Sequence, residues 1–139
     1  MIIALRQVYP GMTAACWRRL HRDGEDALPR RVDQCFAMMP AQRWRGIWND
    51  YFEGQQFCAA GRRCSGGYDR TQPWITFADG VRPTSDLPTN RRYVIEFIGR
   101  RTKMPGFYGH LGSSDHEIVV DRVISITPAP ADAASAPRR

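Results

Sequence analysis

Two imidazoles and two carboxylates lie close together in one short segment, with Tyr108, His110, Asp115, His116 and Glu117 supplying its polar chemistry. Neutral imidazole and ionised carboxylate both offer lone pairs and exchange protons near neutral pH, so such a set can ligate zinc or another divalent ion, or act as a general acid and base. The spacing is not that of the metalloprotease motif H-E-x-x-H. A glycine-rich loop also uses histidine to satisfy its own carbonyls, and this structural role is the expectation for His110. Glu117, at the start of a strand, is expected to pair with Arg100 or Arg101. No bound metal and no cofactor are expected, and a metal-dependent hydrolase built on His110 and His116 is the third of three functional readings.

Cys16, Cys35, Cys58 and Cys64 allow three pairings, among which sequence does not choose. A disulfide between Cys58 and Cys64 is expected if the chain is exported; buried thiols are expected otherwise. Without a C-x-x-C pair, a zinc site from these four is disfavoured. Arg100, Arg101 and Lys103 form the basic cluster expected to be most exposed, and such a cluster usually guards a sheet edge. Around Trp44, Trp48 and Tyr51 the arginines Arg43 and Arg45 interleave charge with aromatic faces, a pattern that can hold single-stranded nucleic acid. Period-two alternation instead sends Trp44, Trp48 and Phe52 to one side, inward. Neither G-x-S-x-G nor a phosphate loop of the G-x-x-x-x-G-K-[ST] kind occurs.

The elements that must position these groups are mostly strands. Tyr93, Ile95 and Phe97 alternate with Val94, Glu96 and Ile98, and the run from Glu117 to Ile126 alternates likewise, with Arg122 interrupting the apolar face and marking a bulge or a snorkelled guanidinium. Pro105, Gly106, Gly109 and Gly112 suit the loop between them, so an antiparallel pair is expected. Gln42 to Glu53 fits strand or helix by period; Gly46 and the β-favouring aromatics tip it to a strand that bends at the glycine. Gln55 to Ala59 returns after a turn, and Trp74 to Phe77 is a short strand after Pro73. Upstream, Asp26 caps an expected helix carrying Leu28, Val32, Cys35, Phe36 and Met39 on one face, with a short strand from Gln34 to Met38 as the competing assignment. The expected core comprises these strands' inward residues, including Phe57, Trp74, Ile75, Ile118, Val120, Ile124 and Ile126.

FEGQQFC, YVIEFIGRRT and PGFYGHLGSSDHEIVVDRVISI, with Trp44, Gly46 and Trp48 in a W-x-G-x-W opening and Gly106, Tyr108, Gly109, His110 and Gly112 in a G-x-Y-G-H-x-G loop, resemble small bacterial proteins to which no activity attaches. The resemblance covers about Gln42 to Ile126 and implies a small, strongly curved barrel similar to the oligonucleotide/oligosaccharide-binding type. Some relatives in that group look like envelope lipoproteins.

Length and charge bound the rest. A chain of 139 residues fits one domain with its own core. Net charge is +6, yet Lys103 is the only lysine, a skew that a GC-rich genome produces without selection for phosphate contacts. No apolar run reaches the ~20 residues that span a bilayer. Residues 1–25 are expected to be a mobile lead-in or a degenerate export signal, 26–127 one mainly β domain of about five antiparallel strands with one short N-terminal helix, and 128–139 a disordered tail. The location is the envelope or periplasm if the N-terminus is a signal, and the cytoplasm otherwise. The leading expectation is a non-catalytic binding or structural module recognising a protein or envelope component through the Met104 to Glu117 loop; the second is a single-stranded nucleic-acid binder using Arg100, Arg101 and Lys103.

Overall fold

The computed structural model describes residues 10–64, 68–83 and 87–130. The expectations for the first nine residues and for most of the tail lie outside the described residues. Strands β1 (Gln42–Asp50), β2 (Gln56–Ala59), β3 (Trp74–Phe77), β4 (Arg91–Arg101) and β5 (Glu117–Pro128) make one mixed sheet that closes in a ring, in the order β1-β2-β3-β5-β4 and back to β1. The central expectation holds: β4 and β5 pair antiparallel, Ile95 opposite Ile126, and β1 pairs with β4 along its length. The purely antiparallel expectation is corrected, because β3 and β5 run parallel, Trp74 opposite Glu117. The reason is parity. Five strands in a closed ring cannot all alternate in direction, so one neighbouring pair must be parallel.

Trp48, Phe57, Ile75, Tyr93, Ile95, Phe97, Ile118 and Val120 form the buried centre, with Trp44, Phe77, Val123 and Ile126 packed around it. Aromatic rings meet edge to face there, Phe57 on Phe97 at 5.2 Å and Trp48 on Phe77 at 5.0 Å. Two expected core residues are outside. Phe52 is 85% exposed because β1 ends at Asp50 and the alternation ends with it. Ile124 is exposed because the β4–β5 register shifts there, so that Val123 rather than Ile124 faces Phe97. A second shift skips Asp121, and Arg122 therefore lies between two irregularities. Trp74 is only half-buried and lies outside the central cluster. At Gly46 a Cβ would sit 2.0 Å from the Cys58 carbonyl oxygen; glycine is needed there because β2 passes so close.

The N-terminal region is also corrected. Its helix, α1 (Ala14–Asp23), falls within the expected lead-in rather than after Asp26. Thr13 caps it by accepting from the Cys16 amide at 3.4 Å, and Gly24, at φ 87°, ends it by donating to the Leu20 carbonyl at 2.9 Å. Cys16 and Leu20, one turn apart, are the buried stripe, and Cys16 is disulfide-bonded to Cys35. The expected helix dissolves into single 3₁₀ turns at Glu25–Ala27 and Val32–Gln34. Pro29 is the cause: it holds Leu28 extended, at φ −77° and ψ 144°. Val32 and Cys35 are still buried, but from turns, and Phe36 and Met38 make isolated bridges to Met12 and Thr102.

The weakest seam in the ring is between β2 and β3, which share only the Gln56–Trp74 pair in register. Side chains reinforce it. Gln56, 2% exposed, donates to the Asp69 carbonyl at 3.1 Å and to Ser114 Oγ at 2.8 Å, and accepts from the Asp69 amide at 3.2 Å. Replacing Gln56 by Leu strands these buried partners. The expected loss is about 2–4 kcal/mol, seen as a fall in Tm on the order of 10 °C by calorimetry; a variant melting within about 2 °C of the parent would show that the seam does not need Gln56.

Candidate functional site

A cleft of about 370 Å³ opens at the mouth of the ring where β1, β3 and β5 begin and β2 and β4 end. Its apolar lining comes from Trp44, Phe57, Ala59 and Pro73, and its basic lining from Arg62, Arg63, Arg101 and His116. The segments 60–73 and 102–116 form its walls. Arg70 ties them together: its guanidinium donates to Asp115 Oδ1 at 2.9 Å and to the carbonyls of Gly112 at 2.6 Å and Gly106 at 3.1 Å, and lies 5.1 Å from the centre of the Phe107 ring. The Asp115 carboxylate on the cleft is thus matched by Arg70. Arg62, Arg63 and Arg101 make no ion pair among the described residues; Arg101 Nε donates to the Thr102 carbonyl at 3.2 Å. Nearby, Thr71 donates through its hydroxyl and backbone to Asp69, holding that carboxyl below the usual range with a smaller contribution from Arg62. Cys58 and Cys64, bridged as a disulfide, pin the start of the first wall to β2.

The segment singled out by its chemistry is split among different tasks. His116 lines the cleft, its Nδ1 3.1 Å from both the hydroxyl and the carbonyl oxygen of Thr102. Burial, then the charge of Arg101, lowers its pKa and favours neutral imidazole. His110 sits on a 3₁₀ turn with Nε2 3.2 Å from Glu53 Oε2, bridging to the β1–β2 turn. Gly109, at φ 77°, places backbone where a Cβ would come 2.3 Å from the Trp74 indole. Tyr108 is buried, edge-on to Phe36 at 5.4 Å, and its hydroxyl donates to the Met104 carbonyl at 3.3 Å. Burial pushes its phenol up to about 12. Among the described residues no group of three or more His, Cys, Asp or Glu side chains is placed to hold a metal ion.

Glu117 corrects the expected pairing. It accepts from Thr76 Oγ1 at 3.0 Å instead of meeting Arg100 or Arg101. Arg100 is taken by both oxygens of Asp121, each at 2.8 Å, and by Asp33 at 3.0 Å. Burial alone would raise the Asp33 carboxyl, but hydrogen bonds from Arg31 and Arg100 and their charges outweigh it and hold it low. Of the basic cluster, Arg100 is therefore structural, Arg101 faces the cleft and Lys103 is exposed. The cleft residues that sequence alone did not single out are Arg62, Arg63 and Gln72, and the adjacent arginines ahead of Cys64 were the available signal.

Burial pushes the Glu117 carboxyl up to about 7, with the charge of Asp33 adding to the shift and the Thr76 bond opposing it. The folded chain then holds a proton that the unfolded chain releases near 4.5, so this residue lowers stability progressively as pH rises from about 4.5 to about 7. Glu117→Gln keeps the acceptor and removes the titration. Its Tm relative to the parent should rise between pH 5 and pH 8; a difference independent of pH would show that Glu117 ionises normally.

No family model matches the chain, and no curated protein and no solved structure is significantly similar to it.

Proposed function

We propose that the protein is a non-catalytic binding module that recognises its ligand at the mouth of the ring, between the 60–73 segment and the Met104 to Glu117 loop. The carrying observation is the cleft there, which joins an apolar lining to unpaired arginines. The loop beside it exposes Leu111 at 90% and Phe107 at 57%, more apolar surface than a loop needs for its own packing. The strand order supports comparison with the oligonucleotide/oligosaccharide-binding type of barrel, in which loops on a rigid wall do the recognising. Chain flexibility is limited by Arg70 and by the cystine between Cys58 and Cys64, so a ligand meets a preformed surface.

The test uses tryptophan fluorescence of the full oxidised chain against panels of oligosaccharides, short peptides and oligonucleotides. One class should bind, and Trp44→Ala or Leu111→Ala should weaken it roughly tenfold. Binding indifferent to Trp44 and to every replacement across residues 104–117 would reject the reading.

Single-stranded nucleic acid is the second reading, favoured by the unpaired Arg62, Arg63 and Arg101 beside Trp44. It requires an affinity for oligothymidylate that falls steeply with salt.

The two cystines support an oxidising compartment such as the bacterial envelope. Protein isolated from its native host under alkylating conditions should show no free thiol; four alkylated cysteines would remove this placement.

A further inference from the structure

We propose that the cleft at the ring mouth is an oxyanion site for a phosphomonoester, whose phosphate is held by Arg62, Arg63 and Arg101 and whose organic body lies against Trp44 and Pro73. This deepens the binding-module reading and rests on it. Three guanidinium groups without carboxylate partners line one cleft, while the carboxylate that shares the lining, Asp115, is already matched by Arg70. Uncompensated cationic charge focused by low-dielectric walls attracts an anion. The number of donors decides which anion. A carboxylate satisfies one guanidinium with its two oxygens, whereas a phosphomonoester brings three terminal oxygens and nearly two charges, enough for three forks.

Gln72 provides an independent observation. It lines the same cleft and is 4% exposed, yet neither Oε1 nor Nε2 has a hydrogen-bond partner. Native structures rarely leave a buried amide unsatisfied, and sites for absent ligands are one reason they do. A ligand oxygen accepting from Nε2 would remove that deficit. His116 adds a further donor or acceptor: its Nδ1 is occupied by Thr102, and Nε2 has no protein partner among the described residues. The volume of about 370 Å³ suits a phosphate with one ring, and the indole of Trp44 gives that ring an apolar face. Such a group can belong to a free small molecule or to the 5′ end of a nucleic acid.

The experiment is calorimetric titration of the full chain, disulfides intact, at low salt. The probes are phenyl phosphate, benzoate, phenol, and oligothymidylate with and without a 5′-phosphate. Phenyl phosphate should bind roughly tenfold more tightly than benzoate, and Arg62→Ala and Arg101→Ala should each weaken it by about tenfold. Arg18→Ala, on α1 and away from the cleft, should leave it unchanged. Gln72→Leu should weaken phenyl phosphate while raising the Tm of the free protein, a pair of effects that a purely structural Gln72 would not give. A 5′-phosphorylated oligomer that outcompetes its 5′-hydroxyl counterpart identifies the nucleic-acid source; phenyl phosphate binding without that preference identifies a small molecule. The proposal is overturned if phenyl phosphate binds no better than benzoate, or keeps its affinity in both arginine variants. It is equally overturned if both oligomers bind alike and phenyl phosphate does not compete. Phenol or a neutral sugar binding through Trp44 without phosphate preference would sink the oxyanion site and leave the binding module standing; failure of these probes and of the wider panels would sink both.

Discussion

Closure of the ring rests on one buried amide. β2 and β3 are each four residues long and share a single register pair, so backbone hydrogen bonding alone gives that seam little to hold it. Gln56 makes up the difference by bonding to Asp69 on the second connection and to Ser114 on the fourth, and Ser114 passes the network on to the Gln72 carbonyl at 2.9 Å. A fully satisfied polar network in a low-dielectric interior is strong and specific in geometry, which is why two long connections can be fixed by so few atoms. With the seam closed, the other four pairings bury the aromatic centre.

The same network explains why the cleft lies where it does. Gln56, Asp69, Gln72 and Ser114 sit at the junction of the two walls, and Arg70 holds their outer margins by binding two carbonyls and a carboxylate of the facing loop. An arginine spent in this way contributes no free charge. Its neighbours Arg62 and Arg63, and Arg101 across the mouth, keep theirs. Charge in this protein is therefore divided between arginines that build, Arg31, Arg70 and Arg100, and arginines that line the mouth.

On the far side of β5 the N-terminal arm is fastened by two means that do not depend on a continuous apolar interface. Asp33 joins Arg31 to Arg100, and through Arg100 to Asp121, while the cystine between Cys16 and Cys35 ties α1 to the segment carrying Asp33. Tyr108 and Val119 then pack with Val32 beneath it. The raised Glu117 carboxyl lies near this arm because desolvation there is not offset by a nearby cation, Arg100 being committed elsewhere.

The strands were legible in the sequence because alternation is local: Tyr93, Ile95 and Phe97 face inward by a period that needs only neighbouring residues. The loops around the glycines, and the short Trp74–Phe77 strand after Pro73, were legible for the same reason. Tertiary structure decided what periodicity cannot reach. Parity in a five-stranded ring made β3 and β5 parallel, register shifts against β4 turned Ile124 out, and Pro29 broke an apolar stripe that fitted a helix. The site followed the same division. His116 and Asp115 could be singled out by residue type, but their meeting with Arg62, Arg63, Arg101 and Trp44 depends on ring closure, which brings residues from all five strand ends to one mouth. Which cations are free there depends on which carboxylates fold against which arginines, and that pairing is set by distances in space that no spacing along the chain encodes.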